Sequence, residues 1–321
     1  MTRQPRIVSI GGGTGLSTLL RGLKTHAVQL AAIVAVTDDG GSSGRLREEL
    51  GVLPPGDIRN CMLALSEDEA LMSRLFRHRF SSSPDGGLHD HSFGNLFLTA
   101  MAEVTGDFAE AVRLTSEVLA IKGTIYPATT SDVILRAQFD DGQWVEGETR
   151  ITEDLRRVTR LEMSPSDARA LPDALDAIAA ADIITIGPGS LYTSLIANLL
   201  PPDIVPAIRT SGALGIYIQN IMTQPAETAC MSMSEHVSAF IDHCDGLVFT
   251  TALVNTRTPS EMLLRKYGET GSHAVEIDHR RVTALGVTMA ERDLLSEDET
   301  IRHDPDRLAR AILELWEDSQ S

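Results

Sequence analysis

The sequence predicts an α/β fold of the Rossmann-like class: a mostly parallel sheet flanked by helices, with a small β-hairpin insertion. Three observations predict it. A strand-like run at residues 6–10 passes through Gly11-Gly12-Gly13-Thr14-Gly15 into leucines at helical spacing, Leu16, Leu19, Leu20 and Leu23. A β-branched run at 30–36 then reads as the parallel partner strand of a βαβ unit. The same rhythm returns later, with a strand at 183–186, the turn Gly187-Pro188-Gly189-Ser190 and a helix at 191–199.

The intervening elements follow in order. A polar Gly-rich loop, 37–44, precedes a short helix at 45–50 and the stiff Pro54-Pro55-Gly56 turn. Residues 67–79 and 93–121 read as helices. Residues 133–163 change character, and Asp140-Asp141-Gly142 between alternating runs predicts the hairpin insertion. A helix is expected at 170–181, strands at 215–219 and 246–253, and an amphipathic helix at 306–318 with Leu308, Ile312, Leu315 and Trp316 on one face. No repeat or low-complexity linker divides the chain, so 1–321 reads as a single domain.

Composition bounds the function. At 321 residues and 42% hydrophobic content the chain can bury a sizeable core, and with 4% aromatics that core is aliphatic. Acidic residues outnumber basic ones 45 to 28, a net charge of −17 that repels polyphosphate and argues against nucleic acid as a partner. A small phosphate ligand remains open, because helix N-terminal amides hold anions without a basic surface. Cys61, Cys230 and Cys244 fit neither a disulfide framework nor a zinc pattern and read as reduced packing residues. No apolar run approaches the ~20 residues of a membrane span, and the N-terminus has no signal-peptide pattern. The expectation is a cytoplasmic protein with no membrane span.

Six segments carry candidate chemistry. Gly11, Gly12, Gly13, Thr14 and Gly15 let the backbone pass close to a diphosphate at a helix N-terminus. This is not G-x-G-x-x-G, because Leu16 holds the third glycine position, and no Walker Lys follows. Asp38 and Asp39 end the second strand, where dinucleotide folds place an acid for a ribose hydroxyl, and Ser42 and Ser43 follow as hydroxyl donors. Asp57 reads either as a helix N-cap or as a buried carboxylate that binds metal or acts as a base, with Arg59 as its partner. His89 and His91 have metal-compatible spacing but form only a local pair. Ser92 reads as an N-cap, with Asn95 pointing an amide into the cleft. Gly187, Gly189 and Ser190 repeat the anion-receptive turn, and Asn220, beside Gln219 and Gln224, offers amides to a base or sugar. Two such turns predict a ligand spanning both, at the carboxyl ends of the strands.

These motifs, with Thr-Asp-Asp-Gly-Gly-Ser-Ser-Gly, Pro-Pro-Gly-Asp-Ile-Arg-Asn, His-Ser-Phe-Gly-Asn-Leu and Gly-Pro-Gly-Ser-Leu-Tyr-Thr-Ser in this order, resemble the YvcK/CofD-like family over about residues 6–254. The resemblance implies a Rossmann-like fold related to 2-phospho-L-lactate transferase. It also implies binding of UDP-sugars such as UDP-N-acetylglucosamine, and a part in cell shape and in growth on gluconeogenic carbon. In the transferase, the aspartate matching Asp57 contacts a deazaflavin acceptor and magnesium assists phosphoryl transfer. The Gly-Asp-Ile-Arg-Asn segment departs from the transferase's Pro-Asp-x-Asp pattern, which argues against that acceptor.

The leading expectation is therefore a regulatory protein that binds a nucleotide diphosphate and signals to a protein partner. The alternative is phosphoryl transfer, with Asp57 catalytic and Mg2+ on Asp38 or Asp39. A third, NAD-like nucleotide reading fits the first βαβ unit but lacks a catalytic constellation. Homo-oligomerisation is left open.

Overall fold

The computed structural model describes residues 3–67, 71–81 and 87–320. Arg6–Gly11 (β1) and Gln29–Val34 (β2) pair in parallel, with Ile10 opposite Ile33. Thr124–Pro127 (β3) extends the sheet beyond β2. The insertion contributes Ile134–Phe139 (β4), Trp144–Glu146 (β5) and Val158–Ser164 (β6). Ile183–Ile186 (β7), Leu214–Ile218 (β8), Thr251–Asn255 (β9) and Thr288–Arg292 (β10) extend the main sheet beyond β1. Leu295–Glu297 (β11) and Ile301–His303 (β12) form a small antiparallel ribbon.

The seven main strands are parallel, in the order β10-β9-β8-β7-β1-β2-β3. A parallel sheet buries both faces, which is why β7 is Ile-Ile-Thr-Ile with every residue buried. Pleating sends Val8 and Ile10 to one core and Ile7 to the other. Chain order runs one way from β1 through β3 and the other way from β7 through β10. The switch point therefore lies between β1 and β7, where such sheets open a crevice.

Several boundaries differ from expectation. The first helix is Gly13–Leu23, so Gly13, Thr14 and Gly15 are already in its first turn, with Gly13 at φ 60°. The helix Gly41–Leu50 also starts early, which puts Ser42 and Ser43 in its first turn rather than in a loop. The expected helix over 93–121 is two helices, Phe93–Thr105 and Phe108–Val118. Gly106 at φ 70° ends the first, and Asp107 caps the second by accepting the Glu110 N–H at 2.7 Å. Of the expected helix 67–79, Leu71–Arg77 is helical, and residues 68–70 lie outside the described residues. The strand expected at 246–253 starts later, because residues 246–250 form the connection out of the helix Met233–Cys244.

The insertion is more than a hairpin. It is a three-stranded antiparallel sheet, β5-β4-β6, with the helix Glu148–Glu153 between β5 and β6. Its Leu135, Phe139 and Leu161 join the core of one main-sheet face. No single described helix is long and apolar enough to cross a membrane.

The C-terminal helix Pro305–Ser319 packs on Gly13–Leu23, burying Leu308, Ala309, Ala311 and Ile312. The approach is tight at Gly22, where a Cβ would stand 2.0 Å from the Pro305 carbonyl oxygen. Gly22→Ala is expected to destabilise the fold by about 1–3 kcal/mol, by forcing the two helices apart. Urea unfolding would show a lower midpoint at unchanged slope, and an unchanged midpoint would refute this packing.

Candidate functional site

The two glycine turns meet. Gly11 ends β1 and Gly187 follows β7, its neighbour in the sheet. A Cβ on Gly15 would stand 2.4 Å from the Pro188 carbonyl oxygen, and one on Gly189 would stand 3.7 Å from the Gly12 oxygen. Asn220, just past β8, clamps the second turn. Its Nδ2 donates to the Gly189 carbonyl at 2.7 Å and its Oδ1 accepts the Gly189 N–H at 3.3 Å. Gln224 Nε2 donates to Ser190 Oγ at 2.8 Å. The helix after this turn opens as a π-helical turn, Leu191–Ile196, with the Leu195 N–H reaching Ser190 O at 2.9 Å. Asn198, from the continuation Ala197–Leu199, ties it to β1 by donating to the Gly11 carbonyl at 2.9 Å.

A cavity of about 270 Å³ lies between these turns and β12, which brings Arg302 and His303 to its wall. Arg302 has no hydrogen-bond or carboxylate partner among the described residues, and it is the basic residue of this wall. An adjoining cavity of about 160 Å³ shares Asn220 and Ile221 with the first.

Both helix N-termini already hold an internal carboxylate. Asp57 is not the N-cap of its helix, Gly56–Leu65, where Pro55 takes that place. Instead its Oδ2 accepts the Gly13 N–H at 2.7 Å. Burial pushes its pKa up to about 6; the Gly13 bond opposes this, the charge of Asp38 reinforces it, and Arg59 opposes it again. At the second turn, Glu227 accepts the Tyr192 N–H at 2.9 Å, the Thr193 N–H at 3.3 Å and the Thr193 hydroxyl at 2.7 Å. Burial raises its pKa too. At the first turn the amides left for an anion are those of Thr14 and Gly15, which have no acceptor among the described residues.

The remaining candidates form a polar network on the other side of Asp57. A Cβ on Gly12 would lie 2.6 Å from Asp57 Oδ2, so this carboxylate sits against the first turn. Arg59 is buried, and its Nη1 donates to Ser92 Oγ at 2.5 Å and Asn95 Oδ1 at 2.8 Å. Burial pulls its pKa below the usual guanidinium value. Asn95 Nδ2 donates to Ser42 Oγ at 3.1 Å and Ser43 Oγ at 3.5 Å. Ser42 Oγ also bonds His91 Nδ1 at 2.9 Å, which makes His91 a buried network member. Asp38 Oδ1 accepts the Gly40 N–H at 2.9 Å. Asp39 turns away to the insertion, where its Oδ1 accepts the Thr149 N–H at 2.8 Å and the Thr149 hydroxyl at 2.7 Å. Glu148 accepts the Thr37 hydroxyl at 2.9 Å, and burial, with the charges of Asp57 and Asp38, holds its pKa well above the carboxylate range.

Asp38 and Asp39, the residues expected to contact magnesium, have separate partners. The two carboxylates are engaged in different directions, and among the described residues no three His, Cys, Asp or Glu side chains are grouped to hold a metal.

The model of the family described as 2-phospho-L-lactate transferase CofD matches residues 7–295 of this chain. The chain belongs to the CofD family. Among its relatives, a Nostoc sp. protein is 50% identical over 317 residues, which is 98% of this chain and 69% of that protein. One from Halalkalibacterium halodurans, named gluconeogenesis factor, is 44% identical, covering 97% of each chain. One from Bacillus subtilis with the same name is 43% identical, covering 98% of this chain and 99% of its own. A crystal structure of a upf0052-family protein from Bacillus halodurans superposes with a TM-score of 0.94 at 44% identity, covering 97% of this chain and all of that one. The fold is thus the CofD-family fold, around the turns that line the cavity.

Arg302, Glu227 and Glu148 are among the site residues that sequence reasoning missed. Each lies outside the glycine motifs, on a short strand, a loop or the insertion helix, and no local spacing marks it.

Proposed function

We propose that this CofD-family chain is a cytoplasmic regulatory protein that binds a nucleoside-diphosphate sugar, such as UDP-N-acetylglucosamine, at the β1/β7 switch point. The observation that carries the reading is one cavity bordered by the unpaired Thr14 and Gly15 amides and the unpaired Arg302 guanidinium. Amides at a helix start and a free guanidinium are complementary to a diphosphate. The cavity of about 270 Å³ takes the diphosphate and one appended group, and the adjoining cavity takes the other. Asp38 is the candidate acid for a ribose hydroxyl, since Asp39 is spent on Thr149. The name of the relatives supports a role in gluconeogenic growth. Ligand occupancy would then report sugar-nucleotide supply to a partner acting in wall growth and cell shape.

Isothermal titration with UDP-N-acetylglucosamine tests this, with NAD as the competing nucleotide. Arg302→Ala is expected to weaken binding by about tenfold to a hundredfold, the worth of one charge-assisted hydrogen bond. The exposed position leaves thermal stability unchanged. No binding of the UDP-sugar, or equal binding by the variant, removes the reading.

A second reading rests on Asp57. A carboxylate tuned to about 6 beside a phosphate-sized cavity is suited to take a proton from an alcohol. The alcohol oxygen would attack the phosphorus of a nucleotide-activated donor, and the nucleoside monophosphate would leave. Mass spectrometry of donor plus acceptor alcohol tests it, and absence of nucleoside monophosphate release excludes it.

A further inference from the structure

The main sheet ends in an open edge. β3 is its terminal strand and pairs with β2 on one side alone. Across that seam the Ala128 N–H, just past β3, donates to Val34 O. Main-chain groups alternate in direction along a strand. Thr124 and Tyr126 are in step with Ala128 and face β2, so Ile125 faces outward. The Ile125 N–H and C=O have no partner among the described residues. Pro127, the next outward position, has no N–H to offer, so the open edge is short.

A groove runs along this edge. A cavity of about 580 Å³, larger than the one between the glycine turns, is lined by every residue from Gly123 to Pro127. One wall is the helix Phe108–Val118; the other is Tyr126 with Leu171, at the start of the helix Pro172–Ala180. Ile125 is buried and Tyr126 and Leu171 are half-buried, which makes the floor apolar. Open edges are commonly guarded by lysine. The charged residues of this groove are instead Asp107, Glu110, Glu117 and Asp173 against Arg113, and Arg113 is paired with both Glu110 and Glu117. Burial raises the Tyr126 pKa, its bond with Thr124 opposes this, and the charges of Asp173 and Asp176 add to it, so these acids stand close to the strand. A second copy of the edge would set acid against acid, and nucleic acid or anionic lipid is repelled likewise.

We propose that this groove docks an extended, basic segment of a partner protein, which adds to β3 as a further strand. The main chain of the segment pairs with the Ile125 N–H and C=O, its small apolar side chains lie on the floor, and its lysines or arginines meet the carboxylates of the two walls. β3 leads directly into the insertion that carries Glu148 and Thr149, so the docked segment lies one connection away from the polar network of the candidate site. The docking itself does not depend on which ligand that site takes.

Fluorescence anisotropy of the full chain with a labelled synthetic heptapeptide of alternating lysine and valine tests the proposal. This peptide is expected to bind, and the same peptide with glutamate in place of lysine is not. N-methylation of the valines removes main-chain donors and keeps every charge, and is expected to weaken binding by at least about tenfold. Asp173→Asn with Glu117→Gln is expected to weaken it by at least about fivefold. Glu261→Gln with Glu291→Gln, on the β9 and β10 side of the sheet, removes as much charge and is expected to change it by less than about twofold. Circular dichroism checks that both pairs of variants are folded. At saturating lysine peptide, hydrogen exchange of the Ile125 amide is expected to slow by at least about tenfold. No binding of the lysine peptide, equal binding of its N-methylated form, equal losses in the two pairs of variants or unchanged exchange at Ile125 would overturn it.

Discussion

Gly15→Ala is expected to cost about 1–3 kcal/mol of stability and to weaken UDP-sugar binding by at least about tenfold. The added methyl would stand 2.4 Å from the Pro188 oxygen and 2.7 Å from its carbonyl carbon. Both are backbone atoms, so no rotamer change relieves the clash. The second turn cannot simply retreat, because Asn220 holds Gly189 from both sides and Asn198 ties the following helix to Gly11. The separation of the turns must grow, and with it the spacing of the amides that border the cavity. Gly13→Ala is the control: nothing lies within 4 Å of its added carbon, but its φ of 60° makes an L residue strained. It is expected to lose about 1–2 kcal/mol through the backbone alone. Calorimetric titration and urea unfolding of both variants measure the difference. Wild-type affinity in Gly15→Ala would show that contact between the turns does not organise the site.

Asp57→Asn is expected to flatten a pH dependence that the wild type shows. Folding raises the Asp57 pKa from 3.8 to about 6, so between these values the folded chain holds a proton that the unfolded chain has released. The stabilising effect of that proton is fully present below about 4 and is lost as pH rises to about 6. The loss is about 3 kcal/mol, following from the size of the shift. Above that the penalty is constant. The stability of Asp57→Asn relative to wild type should therefore rise across this window and level off, since asparagine keeps an acceptor for the Gly13 N–H without a charge. The same logic governs binding. An anionic ligand beside Asp57 binds best when this group is neutral, so wild-type affinity for UDP-N-acetylglucosamine should increase as pH falls through about 6. The diphosphodiester does not titrate there, and the Asn variant should show no such increase. Parallel pH profiles of the two proteins would refute a titrating Asp57 at this turn. If the transferase reading holds, the variant also loses turnover while keeping its nucleotide affinity.

The sequence by itself determined the first βαβ unit, the return of the same strand–glycine–helix pattern at β7 and the family. These are local or nearly local signals: hydrophobic period, glycine between strand and helix, and motif order. It also placed the network residues Ser42, Ser43 and Asn95 in segments that do come together. Only the tertiary structure decided what each polar group faces. Asp38 and Asp39 are adjacent in sequence, yet one lies at the Gly40 turn and the other is spent on Thr149 of the insertion. Both helix starts look equally receptive in sequence, yet the second is filled by Glu227, 34 or more positions away along the chain. Arg302 reaches the cavity from a ribbon near the C-terminus, which no spacing rule connects to Gly13. The physical reason is that a backbone pattern fixes where amides and carbonyls point, over a few residues. Which charge answers them depends on packing between elements far apart in the chain, and that is settled only when the sheet is assembled.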